Sequence, residues 1–226
     1  MTTKALVIIP ALNAERSIAA VVRDCRAMND DVLVVDDGSA DRTAEIAREA
    51  GARVASHSIN RGKGAALKTG FAYALEHGFD VVVTLDADGQ HLPREIPKFL
   101  AARAESGADL IIGGRAHLFG QMLPRRRLAN RFSARCIAFA SKTNVTDSQS
   151  GFRLYSVDLL RAARLRSDGF AMESEVIVRA GLGGFKIITI PIDLGFVDGQ
   201  STSHYKPLMD TIRIAWTVIR ARYFWK

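Results

Sequence analysis

The fold is decided by the stretch Val81-Val82-Val83-Thr84-Leu85-Asp86-Ala87-Asp88-Gly89-Gln90. Its first five residues are apolar or β-branched, which predicts a strand buried on both faces of a parallel sheet. Two carboxylates, Asp86 and Asp88, follow the strand directly. In open α/β sheets, ligands bind outside the carboxyl ends of the strands. The stretch therefore predicts an α/β protein with a polar site at one edge of its sheet.

The rest of the chain extends this pattern into a mostly parallel open sheet flanked by helices. The predicted strands are Ala5–Ile9, Asp31–Val35, Arg53–Ser56, Val81–Leu85, Asp109–Ile112 and Lys186–Ile190, with a loop and strand at Asp147–Tyr155. The predicted helices are Glu15–Met28, Ala40–Ala50, Gly62–His77, Pro93–Ser106 and Met172–Ala180, with a basic, then helical segment at Gly120–Ala140. No repeat or linker divides the chain, so we predict one domain over residues 1–206 and a carboxy-terminal amphipathic helix over residues 207–226.

Composition and charge indicate the class of partner and the cellular compartment of the protein, but not its activity. The chain of 226 residues has a net charge of +7, which favours polyanionic partners such as nucleotides, lipid phosphates, a membrane surface or nucleic acid. Charge alone does not choose among them. Cys25 and Cys136 lie outside any C-x-x-C motif, which favours a reducing, cytoplasmic setting. No segment reaches the roughly 18 apolar residues that a membrane span requires.

The carboxylates after the Val81–Leu85 strand predict a cation site. Asp86 and Asp88, with the amide oxygen of Gln90, form an all-oxygen ligand set of the kind that Mg2+ and Mn2+ prefer. Such cations commonly bridge protein carboxylates to diphosphate oxygens. The alternative is that these acids cap the next helix or solvate a loop. Their position after a buried strand favours the cation site.

Two further loops have less specific patterns. Asp36-Asp37-Gly38-Ser39 follows a strand, and a carboxylate there can accept hydrogen bonds from a nucleotide base or ribose, although a capped strand-turn-helix is the simpler interpretation. A receiver-type phosphoacceptor domain also pairs aspartates, but the chain length and the Pro10–Asn13 loop do not suit it. Gly62-Lys63-Gly64 could hold an anion through backbone N–H groups, or could be a structural turn, and it lacks the Walker A spacing.

Taken together, these motifs resemble the family 2 glycosyltransferases, which have a Rossmann-like GT-A fold. The resemblance is closer to the branch that contains dolichol-phosphate mannose synthase and bacterial polyprenyl-phosphate sugar transferases. It covers roughly residues 4 to 206 and rests on six motifs in this order: Ile8–Glu15, Val35–Ser39, Gly62–Ala65, Asp86–His91, Asp147–Arg153 and Glu173–Glu175. Each motif is common, but the ordered set is specific.

The resemblance implies inverting transfer of a sugar from a UDP- or GDP-linked donor, with Mg2+ or Mn2+ as cofactor. The residues that it places around the nucleotide and donor are Pro10, Ala11, Asn13, Glu15, Asp37, Lys63, Asp86, Ala87 and Asp88, with Asp37 reading the base. It places the metal on Asp86, Asp88 and Gln90, and it places Arg153 and the Ser150-Gly151 turn at the acceptor side. One departure from the family pattern is Thr202, where relatives often carry lysine, and His204 or Lys206 could supply the missing positive charge.

The acceptor is predicted from the basic run Pro124–Arg131. Arg126, Arg127 and Arg131 suit a phosphate, because the planar guanidinium matches phosphate oxygens, and a polyprenyl phosphate needs no deprotonation to act as nucleophile. A solvated basic face is the alternative interpretation of this run. A soluble saccharide or other hydroxyl acceptor would instead need a general base, for which Asp147, Glu173 and Glu175 are candidates. A non-enzymatic module that binds anionic lipid is the third hypothesis.

The segment Leu208–Lys226 combines apolar residues at helical spacing with interfacial aromatic and basic residues. Such a helix can lie in a membrane interface, pack on the core, or contact another subunit. We expect a cytoplasmic protein peripherally associated with the inner face of the membrane. Nucleic acid is not an expected partner, because no recognised binding motif is present.

Overall fold

The computed structural model describes residues 3–115, 134–143, 145, 147–169, 171–195 and 216–222. The strands are β1 (Ala5–Ala11), β2 (Val32–Asp36), β3 (Arg53–Ser56), β4 (Val81–Thr84), β5 (Leu110–Gly114), β6 (Arg153–Ser156) and β7 (Ile187–Pro191). The helices are α1 (Ile18–Met28), α2 (Thr43–Glu49), α3 (Lys63–Glu76), α4 (Ile96–Ser106), α5 (134–141), α6 (Val157–Ala163), α7 (Ala171–Leu182) and α8 (216–222).

All seven strands form one sheet in the order β3-β2-β1-β4-β6-β5-β7. The pairs β1–β2, β1–β4, β2–β3 and β5–β7 are parallel, and β6 runs antiparallel to both β4 and β5. The predicted mostly parallel α/β sheet is therefore confirmed. Strand order reverses at β1, which lies between β2 and β4, and such a switch point is where ligands bind in this class of sheet.

The sheet is buried on both faces because helices cover both of them. Alternate strand residues point to opposite faces. Ile8 and Leu33 belong to the core layer under α3 and α7, whereas Val7 and Val34 belong to the layer under α1 and α4. Continuous apolar runs in the central strands follow from this two-sided burial, and each buried Val, Leu or Ile side chain contributes about 1.5–3 kcal/mol.

The predicted helices differ from the observed ones mainly at their starts. Helix α1 begins at Ile18, not at Glu15, because the backbone N–H groups of Ser17 and Ile18 both donate to the carbonyl of Ala14 in a preceding turn. The predicted helix at Pro93 starts as a short 3-10 turn before α4. Helix α6 was not predicted. It is capped by Ser156, whose hydroxyl accepts from the N–H of Leu159.

The carboxy-terminal segment predicted as a helix is described only over residues 216–222, which are helical. Val218 and Ala221 of α8 are buried in the same core layer as Ala140 of α5. Arg222 donates from Nη1 to the Ala140 carbonyl at 3.0 Å. Helix α8 therefore packs on α5 along one side. None of the helices within the described residues is long and apolar enough to cross a membrane.

Candidate active site

The polar loops after β1 and β2 meet at the carboxyl edge of the sheet, as predicted. Pro10 and Ala11 end β1, and the next loop turns at Asn13, whose φ is 50°. The Asn13 side-chain oxygen accepts from the N–H of Ala40 at 2.9 Å, and the Asn13 N–H donates to the Ser39 hydroxyl at 2.9 Å. The two loops therefore form one hydrogen-bonded wall beside the switch point.

Glu15 extends the same wall. Its carboxylate accepts from the backbone N–H of Arg42 at 3.3 Å, and its own N–H donates to Asp41 at 3.2 Å. Glu15 thus joins the loop after β1 to the loop after β2. A contact between Glu15 and a nucleotide stays a prediction.

The loop that carries the two metal-type carboxylates is held in place by local hydrogen bonds. Ser17 donates from its hydroxyl to the carbonyl of Ala87 at 2.7 Å, which ties this loop to the start of α1. The Gln90 N–H donates to Asp88 Oδ1 at 2.9 Å. Asp86, Asp88 and Gln90 are each partly exposed.

Lys63 lies at the centre of the site. Its Nζ is 2.6 Å from Asp86 Oδ1 and 3.2 Å from Glu173 Oε2. Burial opposes the charge on Lys63, but the carboxylates of Asp86 and Glu173 outweigh it and raise the pKa of Lys63 above its usual range. Burial likewise opposes the charge on Asp86, yet Lys63 lowers the pKa of Asp86. Both groups are therefore charged at neutral pH.

Gly151 allows the loop before β6 to pass directly over this pair. A Cβ at position 151 would lie 2.7 Å from Asp86 Oδ2 and 2.9 Å from Lys63 Nζ. The Gly151 carbonyl is fixed by the hydroxyl of Thr84 at 2.9 Å. Close approach therefore favours glycine at this position. The Ser150-Gly151 turn, which the family resemblance places at the acceptor side, lies against Asp86 and Lys63.

We expect Gly151→Ala to lower kcat/KM for sugar transfer about a hundredfold, because the new methyl group displaces the Asp86 carboxylate. The atoms it meets are side-chain ends, so the fold is expected to persist. Steady-state kinetics at several Mn2+ concentrations, with the thermal unfolding midpoint as control, check this. Unchanged kinetics would contradict the placement of Gly151.

His91 lies behind the site and was not among the predicted site residues, although it follows the carboxylate motif directly. It is buried, its ring centroid is 5.4 Å from that of Phe152, and its Nδ1 accepts from the Asp86 N–H at 3.2 Å. Burial lowers the pKa of His91 to about 4. The ring is therefore neutral at pH 7, as its acceptor role at Nδ1 requires.

The residues at this edge fit a divalent cation that is completed by substrate. Within the described residues, no three His, Cys, Asp or Glu side chains cluster as a closed metal site. Mg2+ in substrate sites is usually held by one or two carboxylates plus phosphate oxygens, and Asp86 and Asp88 supply two. Burial raises the pKa of Asp88. A cation beside Asp88 would offset that desolvation.

Asp37 is engaged differently from the prediction that it reads a nucleotide base. It is buried, its Oδ2 accepts from the N–H of Gly62 at 2.7 Å, and its Oδ1 accepts from the N–H of Arg61 at 3.0 Å. His57 Nδ1 lies 2.6 Å from the same Oδ1. Asp37 therefore anchors the loop that leads into Lys63, and a base contact by Asp37 stays a prediction.

Arg153, which the family resemblance places at the acceptor side, is engaged by the backbone. It is fully buried, and it donates to the carbonyls of Ser150 at 2.7 Å, Glu173 at 2.7 Å and Ser148 at 2.8 Å. Arg153 therefore joins the loop before β6 to the start of α7, and a contact between Arg153 and an acceptor stays a prediction.

Two other acidic residues near the site have structural partners. Asp147 forms a two-pronged pair with Arg115, at 2.8 Å from Nε and 3.2 Å from Nη2. Glu175 is buried and accepts from the N–H of Ser167 at 2.7 Å and from Arg179 Nε at 2.6 Å. Arg115 was missed from sequence, although it follows β5 at the same edge that identified the other loops.

The remaining predicted residues lie outside the described part of the chain. These are the acceptor arginines Arg126, Arg127 and Arg131, and the loop residues Thr202, His204 and Lys206.

Comparison with known proteins identifies the family. The model of glycosyl transferase family 2 matches residues 6–163, which is more than half of the chain. The protein belongs to glycosyl transferase family 2. This family 2 enzyme has the predicted GT-A-type fold and is a glycosyltransferase.

Several curated relatives share most of their length with this family 2 enzyme. It is 34% identical over 202 residues to the undecaprenyl-phosphate mannosyltransferase of Micrococcus luteus, covering 84% of this chain and 82% of the relative. It is 33% identical over 211 residues to the polyprenol monophosphomannose synthase of Mycolicibacterium smegmatis, covering 84% and 77%. It is 31% identical over 208 residues to the UDP-N-acetylglucosamine–dolichyl-phosphate N-acetylglucosaminyltransferase of Methanococcus voltae, covering 82% and 83%.

Among solved structures, the fold is similar to glucosyl-3-phosphoglycerate synthase from Mycobacterium tuberculosis. Its complex with phosphoglyceric acid has a TM-score of 0.76 at 20% identity and covers 99% of this chain and 81% of that one. Its complex with Mn2+, uridine diphosphate and phosphoglyceric acid has a TM-score of 0.72 at 22% identity, covering 97% and 77%. At this identity the likeness establishes the shared fold.

Proposed function

We propose that the protein transfers a sugar, with inversion, from a UDP- or GDP-linked donor to a polyprenyl phosphate, using Mg2+ or Mn2+ at Asp86, Asp88 and Gln90. Family membership and the names of the relatives at 31–34% identity support this acceptor class. The solved complexes of the structural neighbour with Mn2+ and uridine diphosphate support the donor and the cofactor.

The observation that carries the acceptor proposal concerns the three candidate general bases. Asp147 is paired with Arg115, Glu175 with Arg179 and backbone N–H groups, and Glu173 with Lys63. Burial disfavours the charged form of Asp147, but the Arg115 guanidinium outweighs it and lowers the pKa of that carboxyl, so Asp147 is a weak proton acceptor. The carboxylates of Glu173 and Glu175 are occupied by Lys63, Arg179 and backbone N–H groups. A hydroxyl nucleophile would need a base that these residues do not offer. A lipid phosphate is already an anion at neutral pH and needs only to be positioned.

In the proposed reaction, the protein's own residues bind and orient the donor and neutralise its negative charge. The loops at Pro10–Glu15 and Asp36–Ser39 form the wall that would face the nucleotide, and Ser17 holds the carboxylate loop against that wall. Lys63 provides a positive charge beside the position proposed for the diphosphate. When bound, the divalent cation supplies further positive charge that stabilises the departing nucleoside diphosphate.

We propose two groups of residues for acceptor binding. The arginines Arg126, Arg127 and Arg131 are proposed to hold the lipid phosphate, because guanidinium groups bind phosphate oxygens in a fork. Trp216 and Ile219 of α8 are 55% and 43% exposed, and Phe139 of α5 is 78% exposed. Since α8 packs on α5, these side chains can enter the membrane interface together. We propose that the enzyme associates with the cytoplasmic membrane surface as a peripheral protein.

The transfer reaction itself is tested with radiolabelled UDP- and GDP-sugars. The expected product is an organic-extractable labelled lipid that forms with polyprenyl phosphate and Mn2+ or Mg2+ and is lost with EDTA. A parallel arm offers phosphoglyceric acid, the molecule bound in the structural neighbour, as a water-soluble acceptor. Labelled water-soluble product without labelled lipid would replace the lipid acceptor by the soluble one. Labelled product in neither arm would overturn the proposed transfer.

Membrane contact is tested separately with the double variant Trp216→Ala/Phe139→Ala. We expect its binding to anionic liposomes to fall roughly tenfold or more, because each aromatic ring would otherwise leave water for the interface. The matched control is Leu182→Ala, which removes an apolar side chain of 42% exposure at the end of α7. Flotation assays measure the bound fraction. Equal loss in both variants would contradict a specific membrane surface at α5 and α8.

A further inference from the structure

The ammonium of Lys63 lies between two carboxylates that come from distant parts of the chain. Nζ is closer to Asp86, at 2.6 Å from Oδ1, than to Glu173, at 3.2 Å from Oε2. Asp86 is one of the two carboxylates proposed to bind the divalent cation. A positive charge therefore already sits on a carboxylate that the cation would use, and two cations on one carboxylate repel each other.

The charges of the site suggest how this conflict is resolved. Asp86, Asp88 and Glu173 with Lys63 amount to three carboxylates and one ammonium, a formal charge of −2. A divalent cation balances this charge. For that to happen with Lys63 still present, the ammonium must leave Asp86 while keeping a carboxylate partner, because an unpaired buried charge is costly.

Glu173 is placed to be that partner. It is buried at the start of α7, and its backbone carbonyl is fixed by Arg153 Nη1 at 2.7 Å. Both of its carboxylate oxygens already lie near Nζ, at 3.2 Å and 3.3 Å. A small rotation of the flexible Lys63 side chain would complete the transfer without backbone movement. Gly151, whose missing Cβ would lie 2.9 Å from Nζ, leaves the space for it.

We propose that Lys63 holds the place of the divalent cation on Asp86 until the cation arrives, and that Glu173 then takes over the ammonium. Glu173 is thus a positioning residue for Lys63. The inference rests on the proposed function only for the cation site at Asp86 and Asp88, and it is independent of the acceptor. It predicts that Lys63 opposes binding of the cation alone, although Lys63 favours binding of the anionic donor.

The test is a double-mutant cycle on Mn2+ binding by the full chain without donor, measured by electron paramagnetic resonance of free Mn2+. We expect Lys63→Met to bind Mn2+ roughly tenfold more tightly, because the competing ammonium is gone. We expect Glu173→Gln to bind it roughly ten- to a hundredfold more weakly. In the Lys63→Met background the Glu173→Gln effect should largely vanish, which is the coupling that the cycle isolates.

The matched control is Lys68→Met, which removes another α3 lysine, one whose Nζ pairs with Asp168 at 2.5 Å. Its Mn2+ affinity should equal that of the wild type. Circular dichroism confirms folding, and Lys63→Gln replaces Lys63→Met if the latter unfolds. If Glu173→Gln weakened Mn2+ binding equally in both backgrounds, the effect would be a through-space charge effect. That result would overturn the transfer of the Lys63 ammonium to Glu173. So would the absence of tighter Mn2+ binding by the Lys63 variants.

The outcomes also separate this inference from the proposed function. Coupling between Lys63 and Glu173 without any labelled lipid product would sustain the ammonium transfer and reject the acceptor. Labelled lipid formed by a protein without coupling between Lys63 and Glu173 would support the polyprenyl phosphate acceptor and reject the ammonium transfer.

Discussion

Replacing Asp88 with asparagine is expected to lower kcat/KM for sugar transfer about a thousandfold, comparable to or greater than the loss of a single oxyanion-hole donor. The physical reason is the loss of one of two carboxylates offered to the cation. In the wild type, Asp88 Oδ1 accepts a hydrogen bond from the Gln90 N–H at 2.9 Å. Asparagine keeps a side-chain oxygen that can accept the same hydrogen bond. The loop is therefore expected to keep its conformation, and steady-state kinetics with saturating Mn2+ measure the effect.

The control is Asp158→Asn, which removes a carboxylate whose side chain is 74% exposed on α6. Its kinetics should match the wild type. The thermal unfolding midpoint of Asp88→Asn in EDTA should be unchanged or slightly raised, since burial disfavours the charge on Asp88. An Asp88→Asn enzyme with nearly full activity at saturating Mn2+ would reject Asp88 as a ligand of the catalytic cation.

Replacing Arg153 with methionine is expected to lower the free energy of unfolding by about 3–5 kcal/mol, the range for breaking a buried charged network. The side chain is fully buried and donates to the carbonyls of Ser148, Ser150 and Glu173. Methionine fills much of the volume but leaves these carbonyls without donors. Urea unfolding of the protein without metal measures the change.

Two comparisons make the Arg153 result specific. Arg161→Met, at an exposed position on α6, should leave the urea midpoint unchanged. Arg153→Lys should remain destabilised, because one ammonium cannot serve three carbonyls that lie in different directions. If Arg153→Met instead kept full stability and raised only the KM for acceptor, Arg153 would be an acceptor ligand, as first predicted from the motif.

The predictions that held rest on local patterns. An unbroken apolar run such as Val81–Val83 indicates burial on both sheet faces, so it identified a central strand of the sheet. The switch-point rule then predicted that the loops of Asn13 and Asp86 lie at the same edge of the sheet, and both loops follow strands that pair in parallel. The same rule applied to the end of β5 would have identified Arg115, which follows Gly114.

The sequence could not show that Arg153 is buried, because the motif identifies a residue but not its burial. An arginine at this turn is compatible both with a ligand contact and with buried hydrogen bonds to backbone carbonyls. The choice depends on Glu173, which is 20 residues away and is brought near only when α7 packs beside β6. Asp37 illustrates the same limit, since its carboxylate is engaged by Arg61 and Gly62 from the next loop but one.

By itself, the sequence determined the α/β class, the family and the edge of the sheet at which the carboxylates of Asp86 and Asp88 lie. These depend on hydrophobic periodicity and on residues adjacent along the chain. The tertiary structure alone decided that Lys63 bridges Asp86 and Glu173, and that Gly151 passes over the pair. These contacts join four segments far apart in the chain. The charged groups among them interact strongly only because folding brings them within a few ångströms of one another.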